Sequence, residues 1–233
     1  MKNTSKMKNF SSLLRTLVAA ATLAQCSMLS AQEVRYAESP RIAVYLPDGF
    51  CELGSSAHEM ERKRFVQESL GSARELLSLL APCNEVVKLA AGKTIAFQRW
   101  VIVELPKVNE TYYSALSSET FVQQAMAQAA EDPADVLTRL EKRLKRQMRD
   151  QIAIDPIHSG VISSDLATYQ GSIASVKTLD GKIGTIIGVE AMTAAKGIVV
   201  RCSMFELADA MSSFEMLLKK QRGLMAKFLA INE

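Results

Sequence analysis

His58 and His158 are the only imidazoles in a chain of 233 residues, so any histidine-based acid–base or metal chemistry must run through one of them. His58-Glu59-Met60-Glu61 opens like a zinc-protease motif. That motif needs a second His four positions after the first, and position 62 is Arg62. Asp155-Pro156-Ile157-His158-Ser159 gathers the three residue types of a hydrolase triad. Near neighbours in sequence seldom provide triad geometry, and no Gly-x-Ser-x-Gly elbow accompanies them. An exported hydrolase using His158 or His58 therefore stands as an alternative reading. Gly92-Lys93-Thr94 resembles the tail of a phosphate-binding loop, but Val87 occupies the position where the cradle needs its first Gly. Gly181, Gly184 and Gly188 lack the Gly-x-Gly-x-x-Gly spacing and fall inside a strand pattern. No cofactor, metal or catalytic constellation is complete.

A different kind of chemistry is suggested by Arg139, Lys142, Arg143, Lys145, Arg146 and Arg149, which meet a single intervening acid, Glu141. At about 100° per residue all but Lys145 lie within about 120° of one another, opposite Leu137, Leu140, Leu144 and Met148. Such a face is either the solvated side of a core-packed helix or a contact for anionic headgroups or an acidic protein. Each cation near an anionic surface contributes about 1 kcal/mol, and salt screens it.

The N-terminus has the three parts of an export signal. Residues 1–15 are basic, Thr16–Ala24 is an uncharged apolar run, and Leu29-Ser30-Ala31 suits cleavage before Gln32. Nine apolar residues are too few to span a bilayer, which needs about 20, and no later run is long enough. The expected location is periplasmic or extracellular. Leu23-Ala24-Gln25-Cys26 also resembles a lipobox, with Gln25 departing from the small residue expected there, so a lipoprotein anchored at Cys26 is the minority reading. The formal charge of +3 falls to −1 once Lys2, Lys6, Lys8 and Arg15 leave with residues 1–31, which argues against a nucleic-acid partner.

In an oxidising compartment Cys51, Cys83 and Cys202 would form one pair and leave one thiol. Cys51 follows the turn Pro47-Asp48-Gly49 and Cys83 follows Ala81-Pro82, both at element edges where a bridge is easily placed. Cys202 sits within the apolar run Ile198–Phe205, as a buried inert thiol would. A Cys51–Cys83 bridge is expected. No Cys-x-x-Cys occurs.

Positioning these groups requires a core, and 48% hydrophobic with 23% charged residues can build one. Ile42, Val44 and Leu46 alternate as a short strand. Ala57–Leu70 reads as a charged surface helix stopped by Gly71, and Glu75–Leu80 as either helix or strand ended by Pro82. Thr94–Leu105 alternates as a strand. Ser118 is a candidate cap for a helix carrying Phe121, Val122, Ala125, Met126 and Ala129, and Asp132-Pro133 opens another helix that runs to about Arg149. Ile173–Leu179 and Lys182–Thr193 flank the hairpin signal Asp180-Gly181, and Ala195-Lys196-Gly197 turns the chain into Ile198–Phe205. Ser212-x-x-Glu215 reads as a capping box for a final amphipathic helix.

The pattern Leu46-Pro47-Asp48-Gly49-Phe50-Cys51, Ala81-Pro82-Cys83, the three-stranded meander and the terminal helix ending Ala230-Ile231-Asn232 is similar to small exported proteobacterial proteins with a PsbP-like fold. The resemblance implies an accessory or binding role and brings no catalytic residues with it. The sequence thus predicts a signal peptide over 1–31 and a single α+β domain over 32–233, with an antiparallel sheet of about five strands and helices on one face. The leading functional expectation is a non-catalytic accessory protein that contacts an unidentified protein or the anionic cell envelope. A carrier of a small apolar ligand, held between sheet and helices, is the third reading.

Overall fold

The computed structural model describes residues 41–108, 111–115, 117–150, 158–177 and 183–233. The chain order is β1 (Phe50–Glu52), α1 (Ala57–Leu70), β2 (Arg74–Pro82), α2 (Cys83–Ala90), β3 (Arg99–Val108), β4 (Thr111–Tyr112), α3 (Ser118–Ala127), α4 (Pro133–Asp150), β5 (His158–Ser164), β6 (Thr168–Lys177), β7 (Ile183–Ala195), β8 (Ile198–Leu207) and α5 (Phe214–Ala230). All strands pair antiparallel in the order β1-β2-β3-β8-β7-β6-β5, with β4 beside β3. The α+β class is as expected, but among the described residues the sheet has eight strands where about five were predicted. The additional strands β1, β4 and β5 are short or polar, so they carry little alternating apolar signal.

Helices cover both faces of this sheet, which corrects the expectation of one. Strand alternation explains how: Leu80, Val101, Val103, Ile173 and Val200 face one way, into a core with Leu140 and Leu144 of α4 and Phe214, Leu217 and Phe228 of α5. Leu79, Trp100, Ile102, Ala174 and Ile186 face the other way, against Val66 and Leu70 of α1 and Val86 and Leu89 of α2. α3 joins this second face further along, where Phe121 and Val122 pack with Ala194 and Val199.

The stretch from Ile42 to Leu46 is not a strand. It lies along α5, and the Asn232 amide takes the place of a neighbouring strand. Asn232 Oδ1 accepts from the Ala43 N–H at 2.9 Å, and Nδ2 donates to the Ala43 carbonyl at 2.8 Å. The turn after it forms as expected, with Phe50 N–H donating to Pro47 O at 2.9 Å and Gly49 at φ 78°. Glu75–Leu80 resolves as part of β2, and the third predicted strand starts later than Thr94, at Arg99.

Two caps shift by one residue. Ser117 rather than Ser118 caps α3, and Ser213 rather than Ser212 caps α5, accepting from Met216 N–H at 3.1 Å. Ser212 instead bonds to Asp209, whose carboxylate also takes the Met211 N–H. The capping box belongs to α1: Ser56 accepts from the Glu59 N–H while Glu59 accepts from the Ser56 and Gly54 N–H groups. The Ser56 side chain foremost, then the Gly54 and Ser56 N–H groups, hold the Glu59 carboxyl below its ordinary range by hydrogen bonding to it, and Glu59 is buried rather than at the surface.

α1 also finishes one flank of the sheet. Among the described residues β1 pairs only with Leu80, Ala81 and Pro82 of β2. Beyond it the Gln67 side chain donates to the Arg74 carbonyl at 2.9 Å and accepts from the Leu76 N–H at 2.7 Å.

The β7–β8 hairpin turns through Lys196 (φ 49°) and Gly197 (φ 76°), the two positive-φ positions its tight turn needs. β6 and β7 pair from Lys177↔Ile183 onward, and the predicted turn Asp180-Gly181 lies outside the described residues.

Candidate functional site: a cavity under the third helix

A cavity of about 300 Å³ opens between α3 and the sheet. Its walls are Phe121 and Ala125 of α3, Ala129 just past the end of that helix, Val136 at the start of α4, and Gly160 and Val161 of β5. The helix periodicity that buries Phe121 and Val122 also turns Ala125 inward, Ala129 follows just past the helix end, and these small side chains leave the space open. Ser117 fixes where α3 begins by accepting from the Thr120 N–H at 3.1 Å.

The lining is mostly apolar, with Gln124, Gln128 and Ser159 as polar breaks in the walls and further polar groups on the floor. Thr168, Gln170, Met192, Val199 and Arg201 line it, all on the same face of the sheet. Register brings them side by side: Thr168 lies opposite Met192, Met192 opposite Arg201 and Arg201 opposite Glu104, with Gln170 opposite Glu190 and Glu190 opposite Ser203 in the next row. Thr168 donates its hydroxyl to the Met192 carbonyl. Gln170 is 8% exposed, and its Oε1 has no hydrogen-bond partner among the described residues.

Arg201 connects the floor to a buried charge cluster. Glu104 Oε1 is 3.1 Å from a terminal nitrogen of Arg74 and 3.4 Å from one of Arg201, and Arg201 Nε is 3.4 Å from Glu190 Oε1. Arg74, Glu104 and Arg201 are buried. Loss of solvation pushes the Glu190 carboxyl above its ordinary range, against the pull of Arg201. The four groups balance in charge when all are ionised. Ion pairs so enclosed cost solvation and are disrupted severely by removing one partner.

No protein-family model matches this chain, and no curated protein is significantly similar to it.

Most residues singled out from sequence lie elsewhere. Cys51 and Cys83 are bridged, with Cα atoms 4.8 Å apart, and tie β1 to the first turn of α2. Cys202 is a buried free thiol, pushed up to about 12 by burial. On α4, Arg139, Lys142, Arg146 and Arg149 are exposed and Arg143 is half-buried. Arg139 pairs with Glu131 at the rim of the cavity, and desolvation lowers the Arg143 guanidinium from its ordinary value. The apolar stripe opposite them packs as expected, with Gln147 an added buried member that donates to Ser175 Oγ at 2.8 Å.

His58 is exposed on the first turn of α1, close to Gly92, far in the chain from any residue of the cavity. His158 opens β5 opposite Ile173, next to Ser159 on the cavity wall. Asp155 and Cys26 lie outside the described residues. Among the described residues no group of three His, Cys, Asp or Glu side chains could hold a metal ion, and no helix is long and apolar enough to cross a membrane.

Sequence reasoning missed Gln170, Arg201, Glu104 and Glu190. One signal was available: Glu104, Glu190 and Arg201 each interrupt an apolar strand run, where a charge is costly unless paired.

Proposed function

We propose that this protein binds a small, largely apolar molecule in the cavity between α3 and the sheet, as a carrier or binding subunit. The observation that supports this reading is the cavity itself. Elsewhere Leu, Val, Ile and Phe fill both faces of the sheet, whereas here Ala125 and Ala129 leave about 300 Å³ with a mostly apolar lining and a few polar groups. Sites for small molecules have this composition: mostly apolar lining and a few placed polar groups. An engineered cavity of about 150 Å³ is enough for benzene, so this one suits a molecule of roughly ten to fifteen heavy atoms. The setting we propose is an accessory role outside the cytoplasm, which the export signal and the resemblance to exported PsbP-like proteins both imply.

The test uses the small apolar fluorophore 1-naphthylamine, whose size falls within that range. Saturable binding at one site per chain is expected, with a blue shift in emission, and Ala125→Trp should abolish it by filling the cavity from its wall. Binding that does not saturate, or that survives in a folded Ala125→Trp protein, would refute the reading.

A further inference from the structure

The floor of the cavity indicates what the bound molecule carries at its inner end. This rests on the cavity being a binding site, as proposed above, and goes on to name the chemical class. Gln170 is more than nine-tenths buried, lines the cavity, and has an amide oxygen that no described residue satisfies. A buried amide oxygen without a donor is costly, and this one is already closed off from water, so the amide gains by turning its oxygen toward the cavity, where an occupant can supply the donor. Beside it, Arg201 presents a guanidinium whose charge is already met by Glu104 and Glu190, each at 3.4 Å. A second anion placed there would face those carboxylates, and a cation would face Arg201 and, behind Glu104, Arg74. A neutral group that donates one hydrogen bond and accepts another avoids both penalties.

We infer that the cavity selects a neutral molecule with an apolar body and a terminal hydroxyl, and that Gln170 is the residue that recognises the hydroxyl. The hydroxyl donates to Gln170 Oε1 and turns its lone pairs toward the Arg201 side of the floor. Because a hydroxyl is both donor and acceptor, it satisfies the amide whichever way the amide is turned. The body lies against Phe121, Val136, Val161, Met192 and Val199, where each apolar contact removes surface from water.

The experiment compares three probes of nearly equal size on the full protein at pH 7 by titration calorimetry or tryptophan fluorescence: naphthalene, 2-naphthol and 2-naphthoate. We expect 2-naphthol to bind at least tenfold more tightly than naphthalene, and 2-naphthoate to bind more weakly than 2-naphthol. In Gln170→Leu, which keeps the size of the side chain and removes its amide, naphthalene should bind as before and the advantage of 2-naphthol should vanish. Equal binding of naphthalene and 2-naphthol by the unmodified protein would overturn the inference while leaving the cavity a binding site. Preference for 2-naphthoate would overturn the neutral head. An unchanged preference for 2-naphthol in folded Gln170→Leu would overturn the role of Gln170. Failure of all three probes to bind would overturn the binding site and this inference with it.

Discussion

Replacing Glu104 by Gln is the sharpest test of the charge cluster beneath the cavity. The substitution preserves shape and removes one negative charge from a side chain that is 2% exposed. Arg74 and Arg201, at 3.1 and 3.4 Å from the lost charge, are then left with Glu190 as the remaining carboxylate of the cluster. Burial already disfavours the charge on Glu190. Removing one member of a buried ion pair costs about 3–5 kcal/mol, because the other charge stays desolvated. With a urea m-value of about 2 kcal/mol/M, the unfolding midpoint should fall by about 2 M. The assay is equilibrium urea unfolding followed by circular dichroism and by Trp100 fluorescence, with coincident transitions required. The double variant Arg74→Gln/Glu104→Gln should be less destabilised than the sum of the two single variants, since it leaves Arg201 and Glu190 balanced. A midpoint shift below about 0.5 M for Glu104→Gln, or strict additivity in the double variant, would refute the argument that these charges are buried and mutually compensated.

Other expectations follow from the same structure. Replacing Cys51 and Cys83 by Ser opens a loop spanning 32 residues of sequence separation and should cost about 3–4 kcal/mol if chain entropy dominates; a loss under 1 kcal/mol by urea unfolding would contradict this. Glu190 has its carboxyl pushed up by burial, so its contribution to stability is present below the ordinary value of 4.5 and is lost as pH rises through its higher folded value. Relative to Glu190→Gln, the unmodified protein should therefore lose stability as pH rises above 4.5, and the opposite trend would mean that Arg201 outweighs desolvation. Ser213→Ala should destabilise by about 1 kcal/mol through loss of the α5 cap, measured as a fall in the urea midpoint. Alkylation of Cys202, mapped by peptide mass, should occur only after unfolding, because the thiol is buried; modification of the folded protein at neutral pH would count against that packing.

The parts of this fold that were legible in the sequence are those whose pattern is long or whose turn chemistry is strict. Ala57–Leu70 ends at Gly71 because that position sits at φ 73°, and Ala195-Lys196-Gly197 turns as a two-residue hairpin. The Cys51–Cys83 bridge was legible because both residues flank elements that end at Pro or Gly. The stretch from Ile42 to Leu46 misled because its alternation reflects burial against α5, with Asn232 standing in for a strand. The caps of α3 and α5 each have two adjacent serines to choose between, and only backbone geometry selects the second at Ser213 and the first at Ser117.

The cavity was not legible at all. It depends on Ala125 meeting Gly160 and Gln170, both more than thirty residues further along the chain, and none of them belongs to a motif. The six cations of α4 drew attention by their density, yet one of them, Arg139, is paired with Glu131 and another, Arg143, is half-buried. Local charge density says little about which groups converge in space.

The amide of Gln67 has a consequence for self-association. An open strand margin is a template on which a second polypeptide can extend the ladder. Here the outward carbonyl of Arg74 and N–H of Leu76 are already occupied by one side chain, so another molecule could not add a strand at that point without first prying the first helix off its flank. Gln67→Leu would remove that guard without touching the interior, leaving a seam along which monomers could stitch together.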